Sequence, residues 1–253
     1  MKAFLRKEWM EMTRTGRLLI LTVIFILFAI MNPAIAKLTP ALLNMMKDSI
    51  AQSGMSVGEV TVNAMSSWTQ YYKNAPIVLI VTVLMSGSVL VGEYQSGTLI
   101  QVVTKGLSRR KIFLSKAITL LGSWTVLFLL YFGITYAYTA SLWSEDRVEH
   151  LLCGTAAYWL FGAFVLAFML LFSAIANNSG QVLLGTGIVM VVILFLNYTP
   201  KLQKYLPFRL MDGLQLCAGT LEAGDFTAAA VIASICVVLC ITGGMLLFDR
   251  KML

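Results

Sequence analysis

Five cations, Lys105, Arg109, Arg110, Lys111 and Lys116, crowd the second half of the stretch "GEYQSGTLIQVVTKGLSRRKIFLSKA" at 92–117, and Glu93 is its only acid. Such groups can anchor a chain to anionic headgroups, or they can grip a complementary surface through directed ion pairs. They do not by themselves turn over a substrate, and the remaining residues supply no catalytic set. The chain has no G-x-x-x-x-G-K-[ST] loop to cradle a triphosphate, no G-x-S-x-G and no H-E-x-x-H. With His150 as the single histidine, neither a nucleophile–base pair nor a histidine metal site can be completed. Cys236 and Cys240 stack at i, i+4 with no histidine near, as small core residues do. Cys153 and Cys217 both fall near the outer face, where a disulfide is chemically allowed. Met45 and Met46 read as apolar fillers rather than copper ligands. The expectation is a protein that is not an enzyme and that holds no metal or cofactor of its own.

The elements that must position this basic segment are membrane helices. Of the 253 residues, 58% are hydrophobic and 12% charged, and the mean hydropathy is +0.82. A soluble domain carries about twice that charge to wet its surface, so the solvent here is largely lipid. Uncharged runs occupy 18–36, 74–92, 117–144, 151–200 and 226–248. A hydrocarbon core about 30 Å thick takes about 20 helical residues, so the run from 151 holds two spans, divided at the polar turn "ANNSGQ" (176–181). An all-α polytopic fold of six spans follows, at about 18–36, 75–92, 113–143, 151–176, 181–198 and 226–248. Barrel strands would be about 10 residues long with alternating polarity, a pattern absent here. No linker or soluble domain interrupts 1–253, which reads as a single membrane domain.

Lysine and arginine set the orientation. With both termini in the cytoplasm the inner segments carry 12 Lys and Arg and the longer outer ones 7, while 8 of the 12 acids lie outside. The net charge of +7 is thus explained by flanking anchors rather than by nucleic acid. The first 17 residues, with Leu5, Trp9 and Met12 at i, i+4, i+7, form an amphipathic helix on the inner surface. A cleavable signal ending at "AIA" (34–36) is disfavoured by Glu8 and Glu11 in what would be its positive region. Outside, "TPALLNMMKDSIAQ" and "VNAMSSWTQYYKN" read as helices, and 201–225 as short interfacial or re-entrant helices. No span carries a central Asp, Glu, Lys or Arg, so ion coupling within the spans has no residues to serve it.

The basic loop then becomes a helical elbow. Glu93–Val103 forms one short helix leaving the membrane, Gly106 breaks it, and Ser108 N-caps the helix that returns. The order "GE", "GT", "SR", "K" after the second span resembles the membrane subunits of ABC-2 type transporters. It rests on Glu93, Gly97, Thr98, Ser108, Arg109 and Lys116, with "FDRKML" resembling the family's aromatic–basic ending. Where many members carry Pro before "SR", this chain has "TKGLSR" with Gly106. The resemblance extends over the whole layout: six spans, inner termini, an N-terminal amphipathic helix and a coupling helix between spans two and three. It implies that Glu93, Tyr94, Gly97 and Thr98 contact a separate nucleotide-binding subunit, with Ser108 and Arg109 closing the elbow. ATP and Mg would then belong to that partner subunit. Arg110, Lys111 and Lys116 are expected to anchor the return at the headgroups.

The resulting expectation is a permease subunit of an ATP-driven exporter in the cell membrane, paired with a second copy or a related permease. Met85, Ser88, Gly185, Gly187 and Met190 in spans two and five would line an uncharged pathway for a peptide, lipid-like molecule or hydrophobic drug. Two other readings fit the same residues: an accessory or immunity protein that binds a toxic peptide without ATP, and an ATP-coupled extractor that does not export.

Overall fold

A computed structural model gives the fold and describes residues 2–52, 62–104, 106–144, 146 and 148–250. Among them there is no strand, and six helices are long and apolar enough to cross a membrane. α1 (Lys2–Arg14) turns at Gly16 into α2 (Arg17–Gln52). α3 (Ala64–Ser86) leads through α4 (Val91–Gln95) and α5 (Thr98–Thr104) to α6 (Arg109–Leu142). α7 (Leu151–Ile175) and α8 (Ser179–Asn197) follow. The short α9 (Pro200–Gln203) and α10 (Gly213–Cys217), with two 3₁₀ turns, precede α11 (Thr227–Arg250).

Helix starts follow side-chain chemistry. Asn63 and Ser66 form a reciprocal capping box at α3, satisfying donors that a helix start otherwise leaves open. The "ANNSGQ" turn separates spans four and five as expected. Asn178 Oδ1 accepts from Gln181 N at 2.8 Å and Gln181 Oε1 accepts from Asn177 N at 2.9 Å. The outer segment "TPALLNMMKDSIAQ" is helical but is not a separate element. α2 runs unbroken through Pro33 and Pro40 to Gln52, because neighbouring helices and local adjustment accommodate proline in membrane helices.

α7 is the axis of the bundle: 67% of its apolar stretch is buried, against 11% for α8. Gly162 lets α6 approach, since a Cβ there would lie 2.1 Å from the ring of Trp124. An aromatic column of Phe25, Trp124, Phe128, Tyr131, Tyr71 and Tyr158 fills the space between α2, α3, α6 and α7. A polar clasp crosses it: Asn32 donates to Tyr131 Oη at 2.9 Å, Asn74 donates to Asn32 Oδ1 at 2.8 Å, and Tyr131 Oη donates to the Tyr71 carbonyl at 3.0 Å. Small polar residues joining spans in this way are the usual adhesive of membrane bundles. The four cysteines are unpaired: Cys153 is exposed and Cys217 buried.

Candidate functional site

The elbow is two helices rather than one. Gly97, at φ +68°, occupies the left-handed region that side chains resist, and it separates α4 from α5. Ser96 Oγ and Thr98 Oγ1 both donate to the Glu93 carbonyl, at 3.2 and 3.3 Å, and pin the bend from either side of the glycine. Gly106, at φ +87°, makes the second break. Ser108 holds the N-cap position of α6 in extended backbone, but its hydroxyl forms no cap hydrogen bond; its carbonyl accepts from Lys111 N and Ile112 N instead. Lys105 and the last three residues of "FDRKML" lie outside the described residues.

Beneath the bend sits a charge cluster drawn from three helices. Lys116, expected at the headgroups, is 1% exposed and turned inward. Its Nζ donates to Glu8 Oε2 at 2.9 Å and to the Val89 carbonyl at 2.9 Å, and lies 3.1 Å from Glu93 Oε2. It leaves the membrane surface because two buried carboxylates and a carbonyl of the turn between α3 and α4 offer it a better-matched shell. The Glu93 Oε2 contact is an ion pair without hydrogen-bond direction. Lys7 caps the cluster from α1, pairing with Glu8 at 3.2 Å, with Glu11 at 2.7 Å and with Glu93.

Burial opposes the charge on Lys7. Its hydrogen bonds to Glu11 and Glu93, with the fields of Glu8 and Glu93, outweigh that and hold the ammonium above the ordinary lysine range. Burial likewise opposes the Glu11 carboxylate, but the Lys7 hydrogen bond and field, then the fields of Lys116 and Arg17, keep it below its ordinary value. Glu8, Glu11 and Glu93 stand close enough together to face a cation; the ammonium groups of Lys7 and Lys116 already fill that role.

Other expected residues separate into groups. Arg110 is paired with Asp249 of α11, its Nε donating at 2.9 Å, while Arg109 reaches the Asp249 carbonyl at 3.4 Å. Lys111 is exposed, and Tyr94 is half-buried on α4. Gln95, Ser96 and Thr98 form the exposed side of the bend, with Gln95 donating to the Asn177 carbonyl at 3.0 Å, so the elbow also touches the turn between α7 and α8. Ser88 is engaged by Arg17 at 3.0 Å. Gly185 does not face open space: a Cβ there would lie 2.6 Å from the Phe172 ring, so it serves the α7–α8 contact. Met85 and Met190 pack against the core, whereas Gly187 opens on an apolar groove of about 450 Å³ along α8.

Sequence reasoning missed Lys7, Glu8 and Glu11 as members of a site. The signal was Phe4 and Glu8 at i, i+4, both buried on one side of α1, while Trp9 on the expected apolar face is 44% exposed. An acid on the apolar side of a basic helix implies a buried cation elsewhere in the chain.

Six helices long and apolar enough to span, with a two-helix elbow between the second and third, make this a multi-pass membrane protein. A family model described as ABC-2 family transporter protein matches residues 3–253, and the chain belongs to that family. It is therefore a membrane component of an ABC transporter and not itself the catalytic part. No curated protein sequence matches it.

Proposed function

We propose that this chain is the permease subunit of an ATP-driven exporter, oriented with both termini in the cytoplasm and with all of 1–253 acting as one membrane domain. Two copies, or this chain and a related permease, form the pathway for a hydrophobic or amphipathic molecule. Each elbow docks on a separate ATPase subunit that binds ATP and Mg. The observation that carries the reading is the buried junction of Lys116 with Glu8 and Glu93. It fastens the inner side of the elbow to α6 and α1 while leaving Gln95, Ser96 and Thr98 exposed for a partner. A push on the exposed side is then delivered to two other helices as rigid-body motion. An anchor for lipid has no need of an internal fastening of that kind.

The test is co-purification from the native membrane. The wild-type chain is expected to bring a P-loop ATPase with it, and Thr98→Arg on the exposed side to lose the ATPase while remaining inserted. Recovery of wild type without any ATPase, at full yield, favours an accessory protein that works without ATP. In a chain without its four native cysteines, a cysteine at Ser144 is expected to react with an impermeant maleimide on intact cells, and one at Ser108 only after the membrane is opened; the reverse pattern overturns the orientation.

A further inference from the structure

At the end of the bundle opposite the elbow, α3, α6 and α7 part around a cavity of about 890 Å³. Trp68, Phe132, Tyr136 and Trp143 line it, with Asp146 at its wall and the exposed thiol of Cys153 on its α7 side. The aromatic rings are ordered: Trp68 and Phe132 have centroids 5.6 Å apart, and Phe132 and Tyr136 5.9 Å. Asp146 is held in place, its Oδ2 accepting from Ala64 N at 3.2 Å at the start of α3. Besides His150, it is the only acidic or basic residue of the described lining. The loop around it, 144–150, has three acids and one arginine in sequence.

Aromatic faces present negative potential to a cation, and a carboxylate beside them adds to it. An anion would meet the same faces and the same carboxylate with repulsion, and a purely apolar guest would gain nothing from Asp146. We propose that this cavity binds an organic cation with an apolar body, the charge beside Asp146 and the body against Trp68, Phe132 and Trp143. The site requires neither an ATPase nor a second copy of the chain, and it is separate from the α8 groove considered for a pathway. Its test therefore stands whether or not the exporter reading does.

Cys153 is a reporter already in the wall. In a chain carrying Cys217→Ala, Cys236→Ala and Cys240→Ala, reconstituted in nanodiscs, the rate of Cys153 labelling by a maleimide is measured against added tetraphenylphosphonium. Tetraphenylborate, of matched shape and opposite charge, is the comparison. The cation is expected to slow labelling saturably and the anion to leave it unchanged. Asp146→Asn, which keeps the acceptor for Ala64 N, is expected to raise the half-protecting concentration about two- to fivefold. Trp143→Ala, which removes one aromatic wall, is expected to shift it in the same direction. Discs of choline lipid are compared with discs of phosphatidylglycerol. Protection present in choline discs before any addition identifies the lipid headgroup as the source of the cation, and protection only on addition identifies a free molecule. Equal protection by both ions, or a cation response that Asp146→Asn leaves unmoved, overturns the proposal.

Discussion

The two ends of the bundle treat charge in opposite ways. At the elbow, Lys116 and Glu8 are almost fully buried and matched atom to atom with groups from three helices. At the far end Asp146 is exposed, beside a cavity the packing leaves unfilled. A matched buried cluster transmits displacement, because separating its members leaves charges without solvent or partner. An open wall with one acid transmits nothing and is free to receive a guest. The difference separates the end that is fastened from the end that is available.

Removing the hub of the fastened end should do most damage. Lys116→Met leaves Glu8 and Glu93 with only the part-exposed Lys7 for a cation, a loss that approaches but stays below the roughly 3–5 kcal/mol of a fully orphaned buried charge. It should appear as a markedly lower unfolding temperature in detergent, and adding Glu8→Gln should recover part of it. Substitution at the exposed cavity mouth, such as Tyr136→Ser, should leave that temperature within error. Comparable losses at the two ends would erase the distinction.

Gly97→Leu comes next. It forces a branched side chain into the left-handed region at a cost of about 1–2 kcal/mol. The bend should open and ATPase stimulation fall, with insertion unchanged on a membrane flotation assay.

Lys7→Met should cost less, about 1 kcal/mol or under, since Lys7 is 42% exposed and screened. Its pH dependence is specific. Glu11 titrates lower in the folded state, so its contribution is present above the ordinary glutamate range and is lost as pH falls through the lowered value. Lys7 titrates higher, so its contribution persists up to the ordinary lysine range and is lost only as pH rises through the raised value. The unfolding-temperature difference between wild type and Lys7→Met should be flat from about pH 5 to pH 9 and shrink below about pH 4. A difference that grows on acidification would contradict the pairing.

Arg110→Gln should matter least. It breaks an ion pair whose members are 56% and 33% exposed, a contact worth about 0–1 kcal/mol, and the melting temperature should scarcely move.

What the sequence made legible follows from which forces are local. Span number and the break at 176–181 depend on run length and a polar, Gly-containing turn, and both were readable. The position of the elbow was readable from glycines and cations, but its division at Gly97 was not, since Glu93–Val103 carries no other breaker. Lys116 was misread because density rules place every cation near a span end at the headgroups. Its inward turn depends on Glu8, 108 residues away in sequence, and no window on the chain contains both. The helix through Pro33 and Pro40 was hidden for a related reason: proline breaks helices in water, and the lipid and neighbouring spans remove the competing solvent.

The Arg110–Asp249 pair has a practical consequence for handling the protein. It joins the foot of α11 to the start of α6, beside the elbow. α1 brings the other terminus to the same neighbourhood through Lys7 and Glu93. A bulky group attached beside the start of α1 or the foot of α11 would therefore crowd the elbow at which an ATPase is proposed to dock, so a purification handle is better placed on the partner.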